Sequence, residues 1–199
     1  MRISKENYGF DTKNINTNMK VYPILVYDNK LLRKKSLDVT TDHKHLHEFI
    51  DDMYLTMNKA GGIGLSAIQI GLPLNIFVID FKDPNNPNNP EHTFKQTFIN
   101  PKVTLSGDEI EMTEGCLSIP TIAASVKRPE TVEIEWVDKM FRPHKKTYGG
   151  IEGRIIQHEM DHLNGILFID NLSRIWKSMI ELPLKMVKNK EIEVPYLQR

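Results

Sequence analysis

The sequence predicts an α+β fold in which small antiparallel or mixed β-sheets pack around a central helix, with another helix near the C-terminus. Strand-like segments cluster in the middle of the chain, and helix-like segments stand before and after them. The central helix, predicted over residues 150–163, carries an H-E-x-x-H motif. The 199 residues favour a single domain, with a polar extension over 1–19 and a helix and tail over about 173–199.

Composition narrows the class of protein. The chain has 26 basic and 26 acidic residues, which argues against a sequence-specific nucleic-acid binder because such proteins carry a basic excess. No apolar run approaches the ~20 residues that span a bilayer, so no membrane role is expected. The first twenty residues lack the apolar core of a secretory signal. The single cysteine excludes a disulfide within the chain, and the predicted compartment is the cytoplasm.

The first predicted helix is followed by an unusual glycine-rich segment. A helical apolar period begins at Leu46, we expect Thr41 or Asp42 to cap its start, and the glycines at 61–62 predict its end. In the next segment, "GGIGLSAIQIG" at 61–71, small residues permit close approach of the backbone to a partner, and Gln69 offers an amide donor. From the residues alone, this segment is either a helix cap with a loop or part of a binding site.

The middle of the chain predicts strands. Segment 75–80 is typical of a short buried strand, 97–105 of a strand interrupted by Pro101, and 131–138 of an antiparallel strand with one wet face. The Asn/Pro-rich segment 83–92 predicts a surface loop. A final helix is predicted from about Ser173, and Pro183 is expected to bend or break it.

The segment "QHEMDH" at 157–162 raises the question of a metal site. On a helix, His158 and His162 lie on one face and continue the apolar stripe of Ile151 and Ile155, so both imidazoles should point toward the core. Buried imidazoles need partners. They are either core histidines bonded to backbone carbonyls or ligands of a metal, with Glu159 placed to act on a water.

A catalytic metal site usually has a third protein ligand and leaves one position for water. Two candidates are available. Glu181 follows His162 at a distance that resembles the glutamate-using zinc peptidases, whereas Cys116 is the only thiol in the chain and lies in a segment that predicts a tight turn. The residues alone leave this choice open.

Three segments, in order, resemble the signature motifs of the peptide deformylase family. They are "GIGLSAIQ" at 62–69, "EGCLS" at 114–118 and "QHEMDH" at 157–162. The stretches "LLRKKS" at 31–36 and "LNGILFID" at 163–170 are also similar to the family, and the likeness extends from about Val21 to the helix after Ser173. Two residues differ from the family pattern. Ser66 stands where alanine is usual in the family. Arg154 stands where an apolar residue is common, and this charge would alter the rim of the substrate pocket.

The resemblance implies the following residue roles. Cys116, His158 and His162 would bind the metal, and Glu159 would be the general base and acid. The Gln69 side chain and the Leu117 backbone N–H would bind the oxyanion. Substrate binding would fall to residues from all three motif regions: Ile63, Gly64, Met112, Glu114, Gly115, Ile151 and Ile155.

The resemblance also implies an activity. Such an enzyme would hydrolyse the N-formyl group of N-formylmethionyl nascent polypeptides and release formate, with a metal-bound water as nucleophile. One divalent ion per chain is expected, Fe2+ in the cell, with Zn2+, Ni2+ or Co2+ as substitutes. The C-terminal helix could make a transient ribosome contact. The alternatives are a zinc peptidase that uses Glu181 and a non-enzymatic ribosome-associated or metal-storage protein.

Overall fold

The computed structural model describes residues 19–83 and 93–198 and confirms the predicted α+β class. In these ranges it contains the helices α1 (Leu46–Lys59), α2 (Gly150–Leu163) and α3 (Arg174–Lys188), and the strands β1 (Gly64–Ser66), β2 (Ile76–Lys82), β3 (Thr93–Cys116), β4 (Ile119–Val137) and β5 (Pro143–Gly149). The predicted extension before Met19 and most of the predicted Asn/Pro loop, residues 84–92, lie outside the described residues. No described helix has the length and apolar character needed to cross a bilayer.

The five strands form one antiparallel sheet in sequential order, with β1 at one edge. β3 and β4 form a hairpin much longer than the predicted strands 97–105 and 131–138. Pro101 does not end β3, because it falls at a shift of register between Ile99 and Lys102, where a ladder hydrogen bond is not required. The tip of this hairpin, at residues 116–119, is the point at which the second motif lies.

The start of α1 differs from the prediction. The helix begins at Leu46 after His45, which has a left-handed φ of 61°, rather than after Thr41 or Asp42. The Asp42 carboxylate accepts a hydrogen bond from the Thr40 hydroxyl, so a local turn engages the predicted cap. The end agrees with the prediction, since the helix stops at Lys59 and Gly61 has a φ of 72°.

α3 begins where expected, with the Ser173 hydroxyl accepting a hydrogen bond from the Trp176 N–H. The predicted break at Pro183 is wrong, because the helix continues to Lys188. Ile180 and Val187, on either side of the proline, are both buried in the same apolar cluster, and this packing offsets the lost backbone hydrogen bond.

Helix α2 packs across one face of the sheet. Its apolar residues Ile155, Ile156 and Leu163 are buried in a cluster with side chains of β2, β3, β4 and β5, among them Phe77 and Phe98. Gly153 permits the close approach, since a Cβ there would lie 3.1 Å from the Tyr148 carbonyl. This packing fixes the face of α2 that carries the two histidines.

Candidate metal centre and active site

Cys116 at the end of β3 meets the two histidines of α2. Its Sγ lies 3.2 Å from Nε2 of His162, and the ligand atoms of Cys116, His158 and His162 all lie within 4.8 Å of one another. Within residues 19–83 and 93–198, this is the one group of three or more Cys, His, Asp or Glu side chains close enough to hold an ion. One sulfur and two imidazole nitrogens, largely buried, suit a tetrahedral divalent metal with one position left for another ligand.

Of the two candidates for the third ligand, the geometry favours Cys116. Glu181 is exposed on α3 and does not belong to the ligand group, whereas the Cys116 thiol does. Cys116 reaches the histidines because the hairpin tip brings it to α2. The peptidase alternative that needs Glu181 has no support from this arrangement.

The two imidazoles differ in their electrostatics. Burial lowers the pKa of His162, and the nearby His158 adds to this effect, so the ring is neutral and able to coordinate. Burial disfavours charge on His158 as well, but its contacts with Cys116 and Glu114 outweigh burial and raise the pKa of this imidazole. Metal binding at this group should therefore release a proton.

Glu114 is in direct contact with the candidate ligand His158. Its Oε2 accepts a hydrogen bond of 2.9 Å from His158 Nδ1, which leaves Nε2 of that ring for the metal. Burial tends to raise the pKa of Glu114, but hydrogen bonds from Arg128 and His158 outweigh it and hold that pKa well below its usual range. Glu114 is 5% exposed, and the contacts of its carboxylate indicate a role in positioning the candidate ligand; its predicted part in substrate binding stays a prediction.

Two buried arginines hold Glu114 in turn, and sequence reasoning missed their role. Arg128 donates to Glu114 at 2.6 and 2.9 Å and to Asp161 at 2.7 Å. Arg154 donates to Glu114 at 3.0 Å and also to the carbonyls of Val126 and Ile110. Arg154 is only 4% exposed, so the expectation that it alters the rim of the pocket is wrong.

The charges of this cluster balance. Two guanidinium groups, Arg128 and Arg154, face two carboxylates, Glu114 and Asp161. A buried ionic group is tolerated when its charges are paired and its hydrogen bonds are made. The cluster joins β3, β4 and α2, so it ties the strand that bears Cys116 to the helix that bears the histidines.

Glu159, the predicted base, is 3% exposed and is held by strand β1. The Ser66 hydroxyl donates to Glu159 Oε2 at 2.7 Å and lies 3.0 Å from the Glu159 carbonyl oxygen. Gly64 lies directly against the carboxylate, and a Cβ at that position would overlap it. Burial raises the pKa of Glu159, opposed in part by His158 and by Ser66, so this carboxylate is a stronger base than an exposed glutamate.

The proposed oxyanion donors lie beside the ligand cysteine. Gln69 Oε1 accepts a hydrogen bond from the Ser66 N–H at 2.8 Å, which orients its amide. Gln69 Nε2 then points at the Ser118 hydroxyl, 3.1 Å away, and lies 3.6 Å from Cys116 Sγ. The Leu117 side chain packs against Gly62, where a Cβ would lie 2.7 Å from Leu117 Cδ1. The first and second motifs are thus in direct contact.

The remaining predicted binding residues differ in accessibility. Ile63 is 44% exposed, Met112 and Ile151 are half-buried, and Gly115 is exposed. Ile155 is 5% exposed and packs in the cluster between α2 and the sheet. Its main contribution is therefore to the core, and a pocket near α2 would be lined chiefly by the three more accessible apolar side chains.

Comparisons with known proteins agree with this geometry. A family model described as polypeptide deformylase matches residues 21–178. The peptide deformylase of Christiangramia forsetii is 38% identical over 187 residues, covering 90% of this chain and 95% of the relative. The peptide deformylase of Zymomonas mobilis is 41% identical over 175 residues, with 87% and 97% covered.

Solved structures give the same result. The crystal structure of a peptide deformylase from Legionella pneumophila has a TM-score of 0.75 at 34% identity and covers 86% of this chain and 98% of that one. The Plasmodium falciparum peptide deformylase in complex with an inhibitor has a TM-score of 0.73 at 34% identity, with 83% and 99% covered. The chain belongs to the polypeptide deformylase family and is a metallohydrolase of the deformylase type.

Proposed function

We propose that this enzyme hydrolyses the N-formyl group of N-formylmethionyl nascent polypeptides and releases formate, with one divalent ion held by Cys116, His158 and His162. The observation that carries the proposal is the meeting of these three ligand atoms, all within 4.8 Å of one another, beside the buried carboxylate of Glu159. A soft thiolate with two imidazoles suits Fe2+, the proposed working metal, and Zn2+, Ni2+ or Co2+ as substitutes.

The chain supplies proton transfer and charge stabilisation. When bound, a divalent ion supplies Lewis acidity and an activated water. Glu159 takes the proton of the attacking water and returns it to the leaving amine, and its raised pKa favours the first of these steps. Gln69 Nε2 and the Leu117 N–H donate to the oxygen of the former formyl carbonyl as its charge grows. Loss of one such donor typically costs roughly 100- to 1000-fold in rate.

Substrate recognition is proposed to use the free edge of β1 and a nearby apolar surface. β1 is the first strand of the sheet order, so Gly64 can offer its backbone to an extended peptide, with Gly115 nearby on β3 as a second proposed contact. Ile63, Met112 and Ile151 are proposed to receive the methionine side chain. An unbranched, flexible side chain fits such a surface well.

The cellular setting is part of the same proposal. We place the enzyme in the cytoplasm, acting on nascent chains. The exposed basic side chains of α3 support a transient ribosome contact there. They are Arg174, Lys177, Lys185 and Lys188.

The test is formate release from a formyl-Met-Ala-Ser peptide, assayed without oxygen and with metal content measured on the same sample. Wild-type enzyme should release one formate per peptide, and Cys116→Ala should lose both metal and activity. Glu181→Ala is the matched control and should keep both. Intact peptide after incubation with fully metal-loaded enzyme would reject the proposal, and loss of metal in Glu181→Ala instead would favour the peptidase alternative.

A further inference from the structure

The tail after α3 lies beyond residues 21–178, which match the family model, yet it folds back onto the candidate active site. Ile192 and Cys116 pack against one apolar cluster, and Tyr196 and Leu117 pack against the cluster that includes the buried side of α1. The Ile24 N–H donates to the Leu197 carbonyl at 2.8 Å, within an isolated parallel bridge to Gln198. Contacts therefore hold the tail both near its start and near its end.

Tyr196 makes a direct contact with the second motif. Its hydroxyl donates a 2.7 Å hydrogen bond to the backbone carbonyl of Leu117, the residue whose N–H is the proposed oxyanion donor. Burial, together with the nearby Cys116 thiol, raises the pKa of the Tyr196 phenol, so the hydroxyl keeps its proton and donates. Among the described residues, this hydrogen bond to the Leu117 carbonyl comes from the tail and not from the three motifs.

A second path runs from the tail through residues 24–27. Ile24 bonds the tail, the next residue, Leu25, donates its N–H to the Gln69 carbonyl at 2.7 Å, and the Tyr27 N–H donates to the Ser118 carbonyl at 2.8 Å. The same short segment therefore joins the tail to both sides of the proposed oxyanion site.

We propose that residues 192–198 form a strap that holds the Cys116–Ser118 turn, with Tyr196 as its positioning residue. The turn follows a shift of strand register between Gly115 and Cys116, and a single ladder pair, Cys116 with Ile119, closes it. Oxyanion donors must be placed to within about 0.5 Å to act well. The strap supplies a further constraint through the Leu117 carbonyl. The catalytic part of this inference rests on the proposed function, whereas the structural part does not.

Two measurements on three variants test the strap. Tyr196→Phe removes only the hydroxyl, a chain that ends at Glu193 removes the whole contact, and Leu197→Ala is the matched control. The Leu197 side chain is 60% exposed and its backbone bond to Ile24 survives the substitution. The measurements are amide hydrogen exchange across residues 116–118 and the steady-state kcat and KM for formyl-Met-Ala-Ser.

Tyr196→Phe should raise exchange in the turn and lower kcat, each by roughly three- to tenfold, the size expected from the net contribution of one hydrogen bond. KM should change little, because the phenol contacts the Leu117 carbonyl and is not among the proposed substrate contacts. The shortened chain should show larger effects in the same direction, and Leu197→Ala should match the wild type.

Unchanged exchange in both Tyr196→Phe and the shortened chain would overturn the strap. Faster exchange with unchanged kcat would overturn its link to catalysis. If the wild-type enzyme releases no formate, the proposed function fails, but the exchange comparison still decides whether Tyr196 holds the turn.

Discussion

Replacing Glu114 by glutamine should weaken metal binding and destabilise the fold at the same time. The carboxylate accepts four hydrogen bonds between 2.6 and 3.0 Å, from Arg128, Arg154 and His158. An amide of the same shape keeps one acceptor oxygen, but its NH2 group must face nitrogen donors. The balanced cluster would also become a buried group with a net positive charge.

The structure sets the size of both effects. Removing one partner of a buried ion pair costs about 3–5 kcal/mol, and Arg128 and Arg154 are 5% and 4% exposed, so water cannot replace the lost contacts. His158 would also lose the bond that orients its ring. Loss of such a partner behind a ligand typically lowers metal affinity roughly 10- to 100-fold.

The effect should depend on pH. The folded pKa of Glu114 is lowered from its ordinary value of 4.5, so its stabilisation is fully present above that value and is lost as pH falls toward the folded pKa. The difference in unfolding free energy between wild type and Glu114→Gln should therefore be constant near neutral pH and shrink on acidification below about 4.

Urea unfolding and competition for Zn2+ against a coloured chelator measure the two effects. The control is Glu111→Gln, an exposed position on the same strand that faces Lys127 across the hairpin. The control should lose less than about 0.5 kcal/mol and keep its metal affinity. If Glu114→Gln matched the control in both assays, the interpretation of this cluster as support for His158 would be refuted.

Three further predictions follow from the same contacts. Ser66→Ala removes the hydroxyl that donates a hydrogen bond to Glu159, and this variant should fold normally. In steady-state kinetics its kcat should fall roughly three- to tenfold while KM is unchanged, and an unchanged kcat would count against the importance of the contact. Arg154→Met should lower the unfolding free energy by about 3 kcal/mol in urea, because it removes one of the buried donors to Glu114 and the guanidinium donor to two carbonyls; a loss within experimental error would contradict this. Chelation of the metal should lower the calorimetric melting temperature reversibly, and no shift would argue against a resident ion.

Local patterns predicted the central helix and the placement of two candidate metal ligands on one of its faces. The apolar period and the H-E-x-x-H spacing depend on residues within one helix, so the sequence suffices for α2 and for the orientation of His158 and His162. The end of α1 at the glycines was also predicted correctly, because it too depends on residues that are close in sequence. Its start was missed because a side-chain contact between Thr40 and Asp42 competes with the cap.

Local sequence patterns do not predict contacts between segments that are distant along the chain. The choice between Cys116 and Glu181 depends on how the hairpin tip meets α2, and spacing along the chain does not contain that information. Arg128 lies in a part of β4 that carries no clear strand signal, so its pairing with Glu114 could not be anticipated. The motif likewise identifies Ser66 as a departure from alanine but does not predict that its hydroxyl contacts Glu159.

X-ray absorption on enzyme purified without oxygen tests the central claim most directly, since it reports which atoms surround the ion. One metal per chain, bound to a single sulfur and two imidazole nitrogens, is the predicted result, with the sulfur signal absent in Cys116→Ala. A coordination sphere of nitrogen and oxygen alone in the wild-type enzyme would contradict the account.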